Sequence, residues 1–393
     1  MIPDPAISNI ARELAFEAGL DPHIPAFATV LACSTSFMGM IEAAGMVGRG
    51  GTRVALVGGV ETMSHIPMGL KQAAADTIIR LFNTDPTGAA TTLTKLSVDD
   101  FDLPIRSWAN RQSGRSQGQH TEDTAKYFRI SREDQDRWAL ASHERAVSGQ
   151  DAGFFHDLVM PVAGVDHDLI PRRDTTAEKL AKLPVAFDRT TGAGTLTAGN
   201  SSPLTDGAAS LLVGDRVGLR RLGIEPAIRL LDWELAAMDF RKEVEGILMA
   251  PARAIPRLLA RHGLQFGDID LYEMHEAFAA QVLANIKAAS DPAYRREKAG
   301  VQADLGEFPW DRVNPLGGSL AIGHPFGATG ARILSQAAKE LAEHAPGARA
   351  VVSVCADGGQ GTVALLGFVD IHFRASKAAR KWIMAAKLVS VLS

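Results

Sequence analysis

The sequence predicts an α/β protein made of two similar βαβ-rich halves with an inserted loop domain, and three observations carry that expectation. Residues 26–60 read as strand, turn, buried helix, glycine stop and strand. Residues 313–354 repeat the plan. Between Glu61 and about Pro184 the composition turns more polar, strand signals thin out and several helix patterns appear.

In the first copy, Ala26 to Ala32 is apolar and reads as extended. Cys33 opens a run of small and hydrophobic residues reaching Val47, which predicts a buried helix. Gly48, Gly50 and Gly51 stop it, and Arg53 to Val60 reads as the next strand. In the second copy, Val313 to Ile322 is the expected strand and Gly323-His324-Pro325 the turn. A small-residue helix from about Gly327 to Leu341 and a strand from Ala348 to Val354 complete it. Aligned by their helix starts, the copies place Cys33 and His324 at equivalent points, and Arg53-Val54-Ala55-Leu56-Val57 lies against Arg349-Ala350-Val351-Val352-Ser353. Chance similarity of Gly/Ala-rich helices is the competing explanation.

The clearest helix of the inserted segment starts at Ser131, where Ser131-x-x-Asp134 resembles a capping box, and runs through Trp138, Ser142 and Ala146. Leu196 to Asn200 returns to the core, Ala209 to Val213 is a short buried strand, and Ile269 to Tyr272 is a strand leading into a helix at His275-Glu276. Beyond Phe368, Lys377, Arg380, Lys381 and Lys387 interleave with Trp382, Ile383, Leu388 and Val391, the pattern of a surface amphipathic helix. The units expected are therefore 1–60, 61–183, 184–215, 216–367 and a tail, 368–393.

Composition narrows the function. A net charge of -4 and a pI near 6.3 give no basic field for nucleic acid or a membrane surface. No apolar run approaches the roughly 18–20 residues of an integral membrane segment, and Met1-Ile2-Pro3-Asp4-Pro5 is not a secretory leader. Cys33 and Cys355 are the only two cysteines, too few for a disulfide framework, so free thiols in a reducing cytoplasm are expected.

Four stations can carry chemistry. Cys33 precedes a helix, whose unpaired amides and dipole favour a thiolate; a buried small hydrophobe is the plainer reading. His324, in Gly323-His324-Pro325-Phe326-Gly327-Ala328-Thr329-Gly330, sits at a glycine-rich turn where imidazole can accept a proton. An exposed turn histidine competes with that, as does a phosphate loop, although the P-loop lysine is missing. Cys355-Ala356-Asp357-Gly358-Gly359-Gln360-Gly361 offers a thiol and uncovered amides suited to an oxyanion, or simply a hairpin with a buried thiol. Glu273-Met274-His275-Glu276-Ala277-Phe278 aims His275 and Glu276 out of a sheet end. It lacks a convincing third metal ligand, so no metal is expected.

As an ordered set, the cysteine after a strand, the HEAF box at 275–278, the GHP box at 323–325 and the CxxGGxG motif at 355–361 resemble the thiolase superfamily. Gly58-Gly59-Val60-Glu61-Thr62-Met63-Ser64 and Thr197-Ala198-Gly199-Asn200-Ser201-Ser202 add to the likeness, which runs from roughly Ser8 to Gly367. His275 in place of the commoner asparagine, together with Asn314-Pro315-Leu316-Gly317-Gly318-Ser319, is similar to the thiolase subunit of the fatty-acid β-oxidation multienzyme complex. The resemblance implies a layered α/β/α/β/α fold with a loop domain over a coenzyme A channel. It further implies that Cys33 is the nucleophile and that His324 activates it and helps bind the oxyanion. His275 then completes that oxyanion site, and Cys355 exchanges a proton with the α-carbon of acetyl-CoA. Ala198, Ser202, Ala277 and Phe278 would line the pantetheine channel.

The activity so implied is acetyl-CoA C-acyltransferase, with coenzyme A as substrate and no permanently bound cofactor. The expected assembly is a homodimer or higher, with a hydratase/3-hydroxyacyl-CoA dehydrogenase subunit as a possible partner. Four departures stand out: family members carry further supporting residues ahead of the nucleophile, Asp357 replaces a small residue beside Cys355, Gln117 stands where a channel methionine is usual, and the tail from Val369 matches no segment of the family. The rival readings are an impaired acyl-CoA-binding protein and a biosynthetic condensing enzyme.

Overall fold

Alternation along the last two long strands sets the layers. In the computed structural model, which describes residues 7–65, 69–102, 109–225, 227–368 and 383–385, successive side chains of a strand point to opposite faces of one sheet. Val352, Val354, Ala364 and Leu366 join one apolar cluster, while Val351, Val363 and Leu365 join another. The strands are β1 (Val54–Glu61), β2 (Gly207–Gly214), β3 (Ile228–Ala237), β4 (Leu271–Met274), β5 (Arg349–Ala356), β6 (Gln360–Phe368) and β7 (Ile383–Ala385), in the spatial order β1-β2-β7-β3-β6-β5-β4. Only β4 and β5 are parallel; the other neighbours are antiparallel.

Two helices cover the first face: α1 (Thr35–Gly48) and α4 (Phe326–Ala342). Phe37, Met40 and Ile41 meet Ile333, Leu334 and Ala337 there, over Leu211, Val213, Leu230 and Val352. The two axes come so close that a methyl on Gly330 would lie 2.5 Å from the backbone nitrogen of Phe37, which is why the crossing carries glycine. On the other face, Ile255, Leu258 and Leu259 of the helix Pro251–Arg261 pack with Val282 and Ile286 of α3 (Ala279–Ser290). The sequence repeat is visible as two helix–strand units, α1 into β1 and α4 into β5. In the inserted segment, α2 (Arg132–Asp151) begins where the Ser131 hydroxyl accepts from the Asp134 N–H at 3.0 Å, as the capping pattern predicts.

The fold departs from several sequence expectations. Residues 26–31 form no strand. Two of their backbone groups meet side chains, with Asn9 Nδ2 donating to the Ala26 carbonyl at 3.0 Å and Leu31 N–H to Thr35 Oγ1 at 2.9 Å, and the Leu31 carbonyl accepts from the Ser34 N–H at 2.9 Å. The 313–322 stretch is not a strand either. Val313 makes a single bridge to Tyr272, then left-handed residues Asn314 (φ 46°) and Gly317 (φ 74°) turn the chain around Pro315 into a short helix, Ser319–Ile322. The helix after the HEAF box starts at Ala279, past His275 and Glu276. In the tail, Ile383–Ala385 is strand rather than amphipathic helix; the rest of that expected helix lies outside the described residues.

Candidate active site

Cys33 sits in a one-turn 3-10 segment, Ala32–Ser34, just ahead of α1. The turn is held from both sides. Thr35 Oγ1 donates to the Ala32 carbonyl at 2.7 Å, and Ala32 takes a positive φ of 46°, a sparsely populated conformation for alanine. Ser34 Oγ donates to the Val354 carbonyl at 3.1 Å and accepts from Thr362 Oγ1 at 3.1 Å. The Cys33 turn is thereby fastened to the ends of β5 and β6, where Cys355 lies opposite Gly361.

His324 reaches the same point from the second half. Gly323 (φ 107°) supplies the turn, and the His324 N–H is fixed by the Pro203 carbonyl at 3.0 Å. Its Nδ1 lies 2.7 Å from Thr329 Oγ1 and its Nε2 lies 3.2 Å from Cys33 Sγ. With Nδ1–H given to the threonine hydroxyl, the Nε2 lone pair is free for the Cys33 proton.

His275 leaves the end of β4, its N–H bonded to the Ser353 carbonyl at 2.9 Å. The two imidazoles are 4.2 Å apart between ring centroids. His275 Nδ1 is 2.9 Å from Ser319 Oγ, whereas Nε2 is buried without a hydrogen-bond partner. Ligand atoms of Cys33, His275 and His324 all lie within 4.8 Å of one another, a group brought together from remote parts of the chain that does not include Glu276.

Burial decides the charges. Desolvation, then the Asp357 carboxylate, push the Cys33 thiol up to about 12, although hydrogen bonds from the backbone N–H groups of Asp357 and Cys33 pull the other way. The helix-terminal stabilisation of a thiolate expected from sequence is outweighed because Cys33 is fully buried. Burial, helped by Arg332, holds the His324 imidazole down to about 3. Burial, the His324 charge and Arg332 hold His275 well below its ordinary range. Cys355 is kept well above the usual thiol range by burial and then by the neighbouring Cys33 charge. The resting site therefore holds two thiols and two neutral imidazoles.

Other contacts were not foreseen from sequence. Glu276 gathers four donors: Trp138 Nε1 at 3.0 Å, Ser142 Oγ at 2.7 Å, Asn314 Nδ2 at 2.9 Å and the Leu320 N–H at 3.1 Å. It ties α2 of the inserted segment to both the HEAF and the Asn314–Ser319 loops. Asp357 accepts from Asn110 Nδ2 at 3.1 Å, a second link to the insert. Of the four expected channel residues, Ser202 donates its N–H to the Ala277 carbonyl at 3.0 Å, and Phe278 bridges Ser201 and stacks edge-on with Phe187. Ala277 and Phe278 are buried, Ser202 is half-buried and Ala198 is exposed on the neighbouring turn. An open cavity of about 520 Å³ adjoins Gly358 of the CxxGGxG turn, lined by Gln112, Met238, Phe240 and Arg253; none of those four channel residues lines it.

The model of the thiolase N-terminal domain matches residues 3–216, and that of the thiolase C-terminal domain matches residues 225–367. The chain belongs to the thiolase family. It is 36% identical over 370 residues to the 3-ketoacyl-CoA thiolase of Yersinia enterocolitica, with 92% of this chain and 83% of the relative covered. The 3-ketoacyl-CoA thiolase of Yersinia pestis gives the same identity and coverage. Among solved structures, the acetyl-CoA acetyltransferase of Bacillus anthracis superposes with a TM-score of 0.75 at 28% identity, covering 94% of this chain and 85% of that one. The Acat5 thiolase of Ascaris suum in complex with coenzyme A gives 0.74 at 25%, covering 93% and 85%. As in those thiolases, the fold is α/β, and membership makes the protein an acyltransferase.

Proposed function

We propose that this thiolase cleaves 3-ketoacyl-CoA with coenzyme A, giving acetyl-CoA and an acyl-CoA two carbons shorter, in fatty-acid β-oxidation. The observation that carries the reading is the 3.2 Å contact between the buried His324 Nε2 and Cys33 Sγ, with the buried Cys355 near the end of the strand to which the Cys33 turn is fastened. His324 takes the thiol proton as Cys33 sulfur attacks the ketone carbon. The resulting alkoxide is met by N–H groups of His324 and His275. Its collapse breaks the α–β carbon bond, and the electron pair leaves as the acetyl-CoA enolate, which the Cys355 thiol protonates at the α-carbon. Coenzyme A then attacks the acyl-Cys33 thioester, giving its proton to the Cys355 thiolate, and the Cys33 thiolate recovers its proton from His324. Thioester is exchanged for thioester, so the step is reversible.

The buried, protonated state of Cys355 suits an acid that must wait for a carbanion. Ala198, Ser202, Ala277 and Phe278 are assigned to the pantetheine path, coenzyme A acting as substrate with no resident cofactor. No described helix is long and apolar enough to cross a membrane. A cytoplasmic homodimer working beside a hydratase/3-hydroxyacyl-CoA dehydrogenase subunit is part of the same proposal, supported by two free buried cysteines and by the HEAF histidine. Thiolysis measured across a chain-length series of 3-ketoacyl-CoA substrates tests it. Turnover should be present in the native chain and lost in Cys33→Ala, and retained turnover in that variant would overturn the assignment.

A further inference from the structure

Ser319 Oγ meets two partners among the described residues. Arg332 Nη2 lies 3.0 Å away and His275 Nδ1 lies 2.9 Å away. A guanidinium only donates, so the hydroxyl oxygen is an acceptor toward Arg332. That leaves one hydroxyl hydrogen, and Ser319 is fully buried, so its remaining partner must take it. If His275 Nδ1 carried the proton instead, the serine hydrogen would be stranded in the interior. His275 Nδ1 is thus an acceptor, and a neutral imidazole that accepts at Nδ1 carries its hydrogen at Nε2. That Nε2 is the atom without a partner. The guanidinium is itself anchored, its Nη1 donating to Gln336 Oε1 at 3.1 Å, and the charges of Glu273, Asp168 and Glu276 face it.

We propose that Ser319 and Arg332 are positioning residues that fix His275 as its Nε2–H tautomer, leaving a preformed, unpaired N–H to receive the oxyanion formed when Cys33 attacks. The inference rests on the acyl-Cys33 reading and extends it to two residues that touch neither substrate nor sulfur. It also accounts for a buried orphan nitrogen, which costs stability in the resting protein and is satisfied only when the oxyanion forms.

A double-mutant cycle tests it on the full chain. An asparagine amide presents an N–H with no tautomer to choose, so Ser319→Ala should matter only when residue 275 is histidine. In the native background Ser319→Ala should lower kcat on the order of 10²-fold, the loss typical of one oxyanion donor, with KM little changed. In a His275→Asn background the same change should be silent. Two-bond 1H–15N spectra of 15N-histidine protein, with the His275 signal identified by its loss in His275→Asn, should show Nε2–H in the native chain and a shift toward Nδ1–H in Ser319→Ala. Ser319→Thr, which keeps a hydroxyl, should restore both readouts. Equal kcat losses in the two backgrounds, or an Nδ1–H tautomer in the native chain, would overturn the proposal. Mass spectrometry of acyl-enzyme separates this from failure of the underlying reading: acyl on Cys33 in the native chain with an unmet cycle removes the relay alone, whereas no acyl on Cys33 removes both.

Discussion

Replacing Gly330 by alanine perturbs the reaction without touching a reacting group. The new methyl would lie 2.5 Å from the Phe37 backbone nitrogen and 2.8 Å from Phe37 Cβ, where ordinary contact begins near 3.4 Å. Neither neighbour is the free end of a flexible side chain, so α1 and α4 must separate by about 0.9 Å to relieve the closer contact. Cys33 rides on the turn entering α1 and His324 on the turn entering α4. A separation of that size carries the 3.2 Å sulfur–nitrogen contact toward about 4 Å, beyond hydrogen-bond reach. A misplacement of about 1 Å can cost on the order of 10²-fold in rate, and overpacking of a core about 1–3 kcal/mol in stability. The assay is steady-state thiolysis of 3-ketoacyl-CoA alongside thermal unfolding, with Gly267→Ala, whose methyl meets nothing within 4 Å, as the silent control. A Gly330→Ala protein with native melting temperature and native kcat would refute the reasoning.

Other expectations follow from the charges. Because the Cys33 thiol is pushed up to about 12, alkylation of Cys33 by iodoacetamide should climb steadily from pH 7 to pH 10 without the plateau of a thiolate–imidazolium pair; a plateau near neutrality would contradict the neutral resting state. Asp357→Asn removes the carboxylate that opposes ionisation of Cys33, so alkylation at pH 8 should speed up several-fold, and an unchanged rate would mean that this charge does not reach the sulfur. Burial, then the Glu340 charge, raise the Glu273 carboxyl well above its ordinary range, and burial raises Glu340 to about 7. A carboxyl with a folded-state pKa above its unfolded value contributes stability below that unfolded value and loses it as pH rises through the folded one. Glu340→Gln should therefore raise the melting temperature relative to the native chain at pH 8, with the gap closing toward pH 4. A constant difference across that range would contradict the raised Glu340 value.

The sequence showed helices most clearly where capping and stop residues are local. Ser131 and Asp134 mark the start of α2, and Gly50 and Gly51 the end of α1. It misread 26–32 and 313–322 because apolar extended patterns say nothing about whether a neighbouring strand is present to pair with. In the second stretch Asn314, Pro315 and Gly317 were turn signals that could have corrected it. His324 and Cys355 were legible because each adjoins a glycine-marked turn, whereas Cys33 and His275 have no glycine beside them and stood out only through the ordered set of motifs. Their protonation was not legible, since burial against the sheet, a long-range property, overrode the local helix terminus at Cys33. Ser319 was visible only as part of a matching motif, and nothing in its surroundings along the chain points to Arg332 or His275 as partners. Asp357 is the converse: an anomalous carboxylate beside Cys355 was a sequence signal, and the folded chain sets it against Cys33 instead.

The central claim is a covalent acyl group carried by Cys33. It is tested most directly by mixing the protein with acetyl-CoA, quenching in acid and locating the added acetyl mass by peptide mass spectrometry. The account predicts acetyl on the Cys33 peptide, absent after Cys33→Ala and discharged by free coenzyme A. Acetyl on Cys355 instead, or none on either cysteine while turnover continues, would contradict it.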